Sequence, residues 1–126
     1  MEVKTLDKEA FSFIKRAKSF NYAGRGVWLF IKTTHNAWIH IGSLIVAVML
    51  GLYLHISHIE WMFLILAGGI VLISEAFNTA IEIDIDLTSP DYHPYARDTK
   101  DVAAGAVLIS AVTALLLGVF IFGHYI

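Results

Sequence analysis

The sequence predicts an all-α integral membrane protein with three transmembrane helices and an N-terminal amphipathic surface helix. Hydrophobic residues make up 57% of the 126 residues and charged residues only 16%, a composition typical of proteins that span a membrane. The apolar residues are concentrated in three long segments, and most of the basic residues precede them. A chain of this length suffices for one domain, and we expect residues 1–126 to form a single membrane domain.

Charge and cysteine content narrow the classes of function. The chain has no cysteine, which excludes disulfide bonds and thiolate chemistry. Its net charge of −2 is too small to indicate a nucleic-acid partner. The distribution of charge is more informative, because seven of the nine Lys and Arg lie within residues 1–32 and the other two are Arg97 and Lys100.

Residues 7–33 are predicted to form the surface helix. Apolar and basic side chains follow helical spacing there, and aromatic residues such as Phe20 and Trp28 supply further apolar anchors. A basic, aromatic-rich amphipathic helix lies in the headgroup plane and attracts anionic lipids. We expect Gly24-Arg25-Gly26 to bend or break this helix. The alternative, an ordinary soluble amphipathic helix, fits poorly beside three apolar spans.

Three transmembrane helices are predicted, at 38–54, 61–86 and 102–122. The first and third contain no Asp, Glu, Lys or Arg over seventeen and twenty-one positions. Trp38 and Trp61 stand where interfacial aromatic residues are expected. A short polar turn, residues 55–60, joins the first two helices, and the second is expected to end before Pro90 and Pro94, which discourage helical continuation.

The positions of Lys and Arg predict the orientation in the membrane. All of them lie in the N-terminal segment or in the 88–101 loop, and the 55–60 turn has none. Because cytoplasmic loops carry an excess of Lys and Arg, we expect the N-terminus and the 88–101 loop to face the cytoplasm and the C-terminus to face outward. Any chemistry of the loop then takes place at the cytoplasmic surface of the membrane.

A stripe of polar residues interrupts the second predicted span. Positions i, i+3, i+7 and i+11 share one helical face and are occupied by Glu75, Asn78, Glu82 and Asp86. Only thirteen apolar residues, 61–73, come before the stripe, and they cover about 20 Å of a hydrocarbon core roughly 30 Å thick. Glu75 is therefore carried into the membrane or its inner boundary, where a carboxylate is costly and usually functional. The alternative is a helix that emerges into water with its acids solvated.

These groups are suited to phosphoryl transfer. Carboxylates at Glu82 and Asp86, together with water and phosphate oxygens, fit Mg²⁺, which takes few protein ligands. Lys100 can hold a phosphate as a point charge, and Glu75 can accept a proton from an alcohol. Positioning and charge stabilisation carry most of the catalysis in such a site. The sequence has no Gly-rich phosphate loop of the Walker or protein-kinase type.

Three histidines near these groups have two interpretations each. A lone loop histidine such as His93 either contacts nucleotide or is simply solvated. His35 and His40 are close enough in sequence to bind one metal. Because no third ligand lies nearby, we expect both of them to be structural.

Longer motifs around these residues resemble those of a known family, the small prokaryotic diacylglycerol kinases, which include undecaprenol kinase. The resemblance extends from about Phe13 to Phe122. It rests on motifs in matching order and spacing, which are Glu75-Ala-Phe-Asn-Thr-Ala-Ile-Glu82, Tyr92-His93 followed by Lys100-Asp101-Val-Ala-Ala-Gly-Ala-Val, Asn36-Ala-Trp-Ile-His40, and Ser19-Phe-Asn-Tyr22-Ala-Gly-Arg-Gly26.

The resemblance implies a homotrimeric enzyme of the bacterial inner membrane that transfers the γ-phosphate of ATP to a lipid hydroxyl. It also implies Mg²⁺ as cofactor and an active site facing the cytoplasm. Diacylglycerol is the expected acceptor, giving phosphatidic acid, and undecaprenol is the alternative. By position, Glu75 matches the general base, Asn78 its polar partner and Glu82 a metal ligand. Nucleotide-contacting positions are matched by Lys15, Tyr22, Asp91, Tyr92, His93, Lys100 and Asp101.

One position departs from the family pattern. Two residues before Asn36 the family usually has a Glu that helps to bind metal, and here that residue is Thr34. A threonine offers a neutral oxygen in place of a charged one. The departure leaves a second hypothesis open, a weakly active or inactive member with a membrane-binding or assembly role.

Overall fold

The computed structural model describes residues 10–126, which form four helices and contain no β-strand. The helices are α1 (Phe13–Thr33), α2 (His35–Leu54), α3 (His58–Thr88) and α4 (Pro94–Phe122), followed by a 3₁₀ turn at Gly123–Tyr125. Helix α3 packs most extensively against α4 and next against α2, whereas α1 contacts chiefly α2. The all-α prediction is confirmed.

Three of the helical segments are long and apolar enough to cross a membrane, namely His35–Leu54, His58–Thr88 and Pro94–Tyr125. Large apolar side chains lie on the outer surface of these helices, for example Ile65 and Leu115, each 69% exposed. Lipid tails are as apolar as these side chains and solvate them without penalty. The chain is therefore a multi-pass membrane protein, as the three apolar segments predict.

The surface helix α1 differs from the prediction in its start and in its continuity. It begins at Phe13, where the Ser12 hydroxyl accepts a hydrogen bond from the Lys15 backbone N–H at 3.4 Å; positions 7–9 of the predicted helix lie outside the described residues. The expected break at Gly24-Arg25-Gly26 is wrong, because α1 runs through both glycines to Thr33. A helical glycine costs only about 1 kcal/mol relative to alanine. Helix α1 has no buried residue.

The turn between α2 and α3 is shorter than predicted. Helix α2 ends at Leu54 because His55 adopts the left-handed conformation, with φ of 53°. Helix α3 then begins at His58, three residues before the predicted span. Ser57 and Glu60 form a capping box, in which each side chain accepts a hydrogen bond from the other residue's backbone N–H.

Helix α4 begins eight residues before the predicted third span, at Pro94. Proline is well accommodated at the first helical position, where no intrahelical N–H bond is lost, and His93 Nδ1 accepts a hydrogen bond from the Tyr95 N–H at 3.1 Å. The predicted 88–101 loop therefore shrinks to residues 89–93. Its basic residues Arg97 and Lys100 lie instead on the first turns of α4.

Helices α2 and α3 approach each other closely at Gly68. A Cβ atom added there would lie 2.7 Å from Leu44 Cδ1, so a larger residue would force the Leu44 side chain to move. A small apolar core of Ile56, Leu64 and Ile121 lies at the end of the helix bundle that contains the α2–α3 turn. Polar groups occupy the other end, where α3 carries the acidic stripe.

Candidate active site

Glu75 is the most deeply buried carboxylate in the described part of the chain. It lies on α3 and is 1% exposed. Next to it, the Ser74 hydroxyl is 2.5 Å from that of Ser110, which draws α4 against this turn of α3. Glu75 Oε2 has no hydrogen-bond partner among residues 10–126. A buried carboxylate oxygen left unpaired is destabilising, which marks the position as one retained for another purpose.

Asn78 and Glu82 continue the stripe one and two turns further along α3. Asn78 is 7% exposed, and its Nδ2 donates a hydrogen bond to Glu82 Oε1 at 3.3 Å. Its other polar atom, Oδ1, is buried and has no partner in the described chain. Asn78 thus fixes the Glu82 carboxylate and keeps one acceptor available.

The stripe lines a cleft of about 420 Å³, which we call the acidic cleft. One wall is the α1–α2 junction, residues 33–36. The other wall is the polar face of α3, with Glu75, Asn78, Thr79, Glu82 and Asp86. The predicted sharing of one face is therefore observed. Burial separates the stripe into an enclosed pair, Glu75 and Asn78, and a solvent-facing pair, Glu82 and Asp86.

Thr34 lies on the wall opposite Glu82, and its hydroxyl is engaged. Thr34 Oγ1 is 2.9 Å from Thr79 Oγ1, a hydrogen bond between the α1–α2 junction and α3. Thr34 thus joins the two walls of the acidic cleft in this structure. A threonine hydroxyl held in this way is a weaker metal ligand than a free carboxylate would be.

The donors in the acidic cleft fit a hard cation with few protein ligands. Within residues 10–126 no group of three His, Cys, Asp or Glu is arranged to hold a metal ion. Mg²⁺ does not require such a group, since it is commonly held by one or two carboxylates and completed by waters and phosphate oxygens. The exposed Glu82 carboxylate and the unpaired Asn78 Oδ1 are oxygen donors of this kind.

A second cleft, of about 230 Å³, lies at the 89–93 loop and the start of α4; we call it the loop cleft. It brings together five of the predicted nucleotide-contacting residues, Asp91, Tyr92, His93, Lys100 and Asp101. Lys100 Nζ is 2.5 Å from Asp86 Oδ1. Asp86 lines both clefts, so the two sites are adjacent and share one carboxylate.

The remaining two predicted nucleotide contacts lie on α1. Lys15 and Tyr22 line neither cleft, and Tyr22 is 72% exposed. Their assignment stays a prediction from the resemblance. His40, which we expect from the sequence to be structural, lies beside the buried acid: its Nε2 is 3.6 Å from Glu75 Oε2. Sequence spacing gives no sign of this contact, because the two residues are on different helices.

Comparison with known proteins identifies the family. Residues 21–122 match the model of the prokaryotic diacylglycerol kinases. The chain is 40% identical to the undecaprenol kinase of Bacillus subtilis, over 83% of this chain and 85% of that protein. It is 39% identical to the diacylglycerol kinase of Synechocystis, over 79% of this chain and 58% of that protein. It is 27% identical to the diacylglycerol kinase of Escherichia coli, over 84% of this chain and 85% of that protein.

These matches confirm the resemblance inferred from the Glu75, Tyr92 and Lys100 motifs. The family-model match contains both clefts and the whole of α2 and α3. The sequence similarity to the B. subtilis relative extends over most of both proteins. The chain therefore belongs to the prokaryotic diacylglycerol kinase family.

Proposed function

We propose that this lipid kinase transfers the γ-phosphate of ATP to the hydroxyl of diacylglycerol, giving phosphatidic acid, in the acidic cleft. The observation that carries the proposal is the Glu75 carboxylate, which lines the cleft while one of its oxygens is buried without a hydrogen-bond partner among residues 10–126. A buried carboxylate that lines a cleft and is not engaged by hydrogen bonds from the described chain is available to accept a proton.

Glu75 acts as the general base in this proposal. Its carboxylate accepts the proton of the lipid hydroxyl while that oxygen attacks the γ-phosphorus. The bond from the γ-phosphorus to the bridging oxygen of ATP breaks, and ADP departs with the electron pair. Asn78 supports the site by donating to Glu82 and thereby fixing that carboxylate. General-base catalysis of this kind contributes about 10²- to 10⁴-fold in rate.

Nucleotide is proposed to bind across the loop cleft. Lys100 holds a phosphate as a point charge, and Asp91, Tyr92, His93 and Asp101 contact the nucleotide. In the free chain Lys100 is paired with Asp86, so a phosphate would replace that partner. Adjacency of the two clefts supports this assignment, because the γ-phosphate must reach the acidic cleft. Lys15 and Tyr22 would complete the nucleotide site from α1.

Mg²⁺ is the proposed cofactor, held by Glu82 with Asn78 Oδ1 close by. Bound there, it would neutralise charge on the phosphate oxygens. The Thr34 hydroxyl, which is hydrogen-bonded to Thr79, would offer the metal only a neutral oxygen. This engagement supports the alternative of a weakly active member with a membrane-binding or assembly role.

The proposed setting is the inner membrane of a bacterium, with both clefts facing the cytoplasm. The basic residues of α1 and of the start of α4 support this orientation under the positive-inside rule. Helix α1 is then the surface helix of a single 1–126 domain and contacts anionic lipids. A homotrimer is also proposed, because the exposed apolar faces of three helices allow neighbouring chains to pack around Glu75.

Undecaprenol is the second candidate acceptor. The 40% identity to the undecaprenol kinase of B. subtilis favours it, while the diacylglycerol kinases of Synechocystis and E. coli favour diacylglycerol. Both acceptors present a primary hydroxyl at the membrane surface, so the proposed chemistry is the same for the two lipids.

A direct assay tests the proposal and separates the acceptors. The purified protein is incubated in lipid vesicles with radiolabelled ATP, Mg²⁺ and either diacylglycerol or undecaprenol, and the labelled lipid is quantified. We expect ATP-dependent label in diacylglycerol above that in undecaprenol, and none with Glu75→Gln. Equal label with the parent and with Glu75→Gln would contradict the proposed base. No label with either lipid would favour the assembly role.

A further inference from the structure

One side chain of α2 faces the unpaired oxygen of Glu75. His40 Nε2 lies 3.6 Å from Glu75 Oε2, just beyond hydrogen-bond distance. The His40 side chain is 22% exposed and that of Glu75 only 1%. An isolated buried carboxylate is strongly destabilising unless a donor or a cation compensates it. His40 is placed to supply that donor.

The packing of α2 on α3 holds His40 in this place. Leu44, one turn after His40 on α2, rests against Gly68, two turns before Glu75 on α3. The helices run in opposite directions along this contact, so the approach at Gly68 brings the His40 turn against the Glu75 turn. A larger residue at position 68 would displace the Leu44 side chain or separate the helices, because its Cβ would lie 2.7 Å from Leu44 Cδ1.

His40 contacts the carboxylate without reaching the substrate cavity. Glu75 lines the acidic cleft, and His40 does not. Glu75 therefore has two environments, the cleft on one side and the His40 imidazole on the other. Only a residue outside the cleft can fix the base without competing with the lipid hydroxyl for space.

We propose that His40 is a positioning residue that presents its Nε2–H to Glu75 Oε2 and turns the other carboxylate oxygen toward the cleft. This role rests on the proposed function of Glu75 as the base. It requires the tautomer with hydrogen on Nε2. The 3.6 Å separation suits a catalytic contact that shortens when substrate binds, as such contacts often do.

Two substitutions at His40 test the role by kinetics. His40→Leu removes the donor, and His40→Gln keeps a neutral N–H donor of similar reach. We expect kcat to fall about 10- to 100-fold in His40→Leu, as for other misplaced catalytic groups, and to recover largely in His40→Gln. KM for ATP and for lipid should stay unchanged in both. An unchanged kcat in His40→Leu, a loss confined to KM, or a Gln variant as slow as the Leu variant would overturn the proposal.

A thermal cycle provides a readout that does not depend on activity. His40→Leu should lower Tm in the parent, because it leaves the Glu75 carboxylate buried without compensation. In a Glu75→Gln background the same substitution should change Tm less, since no charge remains. His58→Leu, at an exposed position at the start of α3, is the matched control and should give equal changes in both backgrounds.

The two arms separate failure of this inference from failure of the proposed function. Equal falls in Tm for His40→Leu in both backgrounds would mean that His40 packs without acting on Glu75, and would overturn the role even if Glu75→Gln is inactive. Full activity of Glu75→Gln would remove the proposed base itself. The positioning role of His40 in catalysis would then fall with it, whatever the thermal cycle gives.

Discussion

Two acidic residues of α3, Glu60 in its first turn and Glu75 near its middle, have opposite surroundings. Near its start, Glu60 Oε2 accepts hydrogen bonds from the Ser57 N–H at 2.7 Å and from the Tyr125 hydroxyl at 2.6 Å. Its Oε1 pairs with His124 Nε2 at 2.6 Å. Two turns before the solvent-facing acids, Glu75 is buried, and its Oε2 has no hydrogen-bond partner in the described chain.

The difference indicates what each carboxylate is for. Glu60 ties the start of α3 to the C-terminal 3₁₀ turn, so its contacts hold the two ends of the helical hairpin together. Satisfied polar groups of this kind specify a fold, whereas unsatisfied ones weaken it. Glu75 is therefore a poor choice for stability. The same lack of hydrogen-bonded partners leaves its carboxylate available to accept a proton, which is what a general base requires.

The largest expected effect on activity comes from a substitution of Glu75. Glu75→Gln keeps the size of the side chain and removes the proton acceptor. We expect lipid phosphorylation to fall by about 10²- to 10⁴-fold, the usual loss for a general base, while helicity and oligomeric state stay as in the parent. The measurements are initial rates with saturating ATP and lipid, circular dichroism and size-exclusion chromatography. A rate within a few-fold of the parent would remove Glu75 from the mechanism.

The nucleotide side of the site should respond with a smaller effect of a different kind. Lys100→Ala and Glu82→Gln should each raise KM for Mg·ATP about 10-fold, as expected for losing an interaction with a charged group. KM for the lipid should change little, because both residues lie on the solvent-facing side of Glu75. Substrate titrations with each variant check this. If KM for the lipid alone rose, the assignment of the two clefts would be reversed.

At Thr34, where the chain departs from the family pattern, a substitution should strengthen Mg²⁺ binding rather than weaken it. Thr34→Glu should place a second carboxylate opposite Glu82, and a hard cation binds more tightly to charged oxygens. We expect the Mg²⁺ concentration for half-maximal rate to fall about 5-fold, the effect of roughly 1 kcal/mol. Thr79→Ala is the control, because it breaks the Thr34–Thr79 bond without adding charge. A matching Mg²⁺ curve for Thr79→Ala and Thr34→Glu would mean that charge is not the cause.

The smallest effect on activity is expected at Glu60. Glu60→Gln removes the charge and replaces one of the two oxygens that contact Ser57, Tyr125 and His124 with an NH₂ donor, so Tm should fall while kcat per folded protein stays the same. Tyr125→Phe removes one donor and should lower Tm less. Thermal unfolding in detergent, followed by assay of the folded fraction, makes both measurements. A loss of kcat in Glu60→Gln at unchanged Tm would contradict the structural role.

Features that repeat along one helix could be predicted from the sequence. The spacing of Asn78 and Glu82 predicts their neighbourhood, and the apolar segments predict three membrane-crossing helices, because both depend on helical geometry alone. The starts of helices were harder to predict. Helix α4 begins at Pro94, since proline blocks helical continuation into it but is well accepted at a first helical position.

Contacts between helices could not be predicted in the same way. Lys100 and Asp86 are fourteen residues apart on two helices, and His40 meets Glu75 across the α2–α3 interface. The partner of Thr34 also lies far along the chain, at Thr79. Such pairs depend on packing angle and on close approaches such as the one at Gly68, which hydrophobic periodicity does not determine.

The central claim is that Glu75 is kept for chemistry at the expense of stability, and thermal unfolding of Glu75→Gln tests it most directly. The parent, Glu75→Gln and Glu60→Gln are melted side by side in the same lipid or detergent. Neutralising a buried carboxylate that lacks a hydrogen-bonded partner should leave Tm at or above that of the parent, whereas Glu60→Gln should melt below it. A Glu75→Gln variant that melts as low as Glu60→Gln would contradict the account, because Glu75 would then be a structural residue like Glu60.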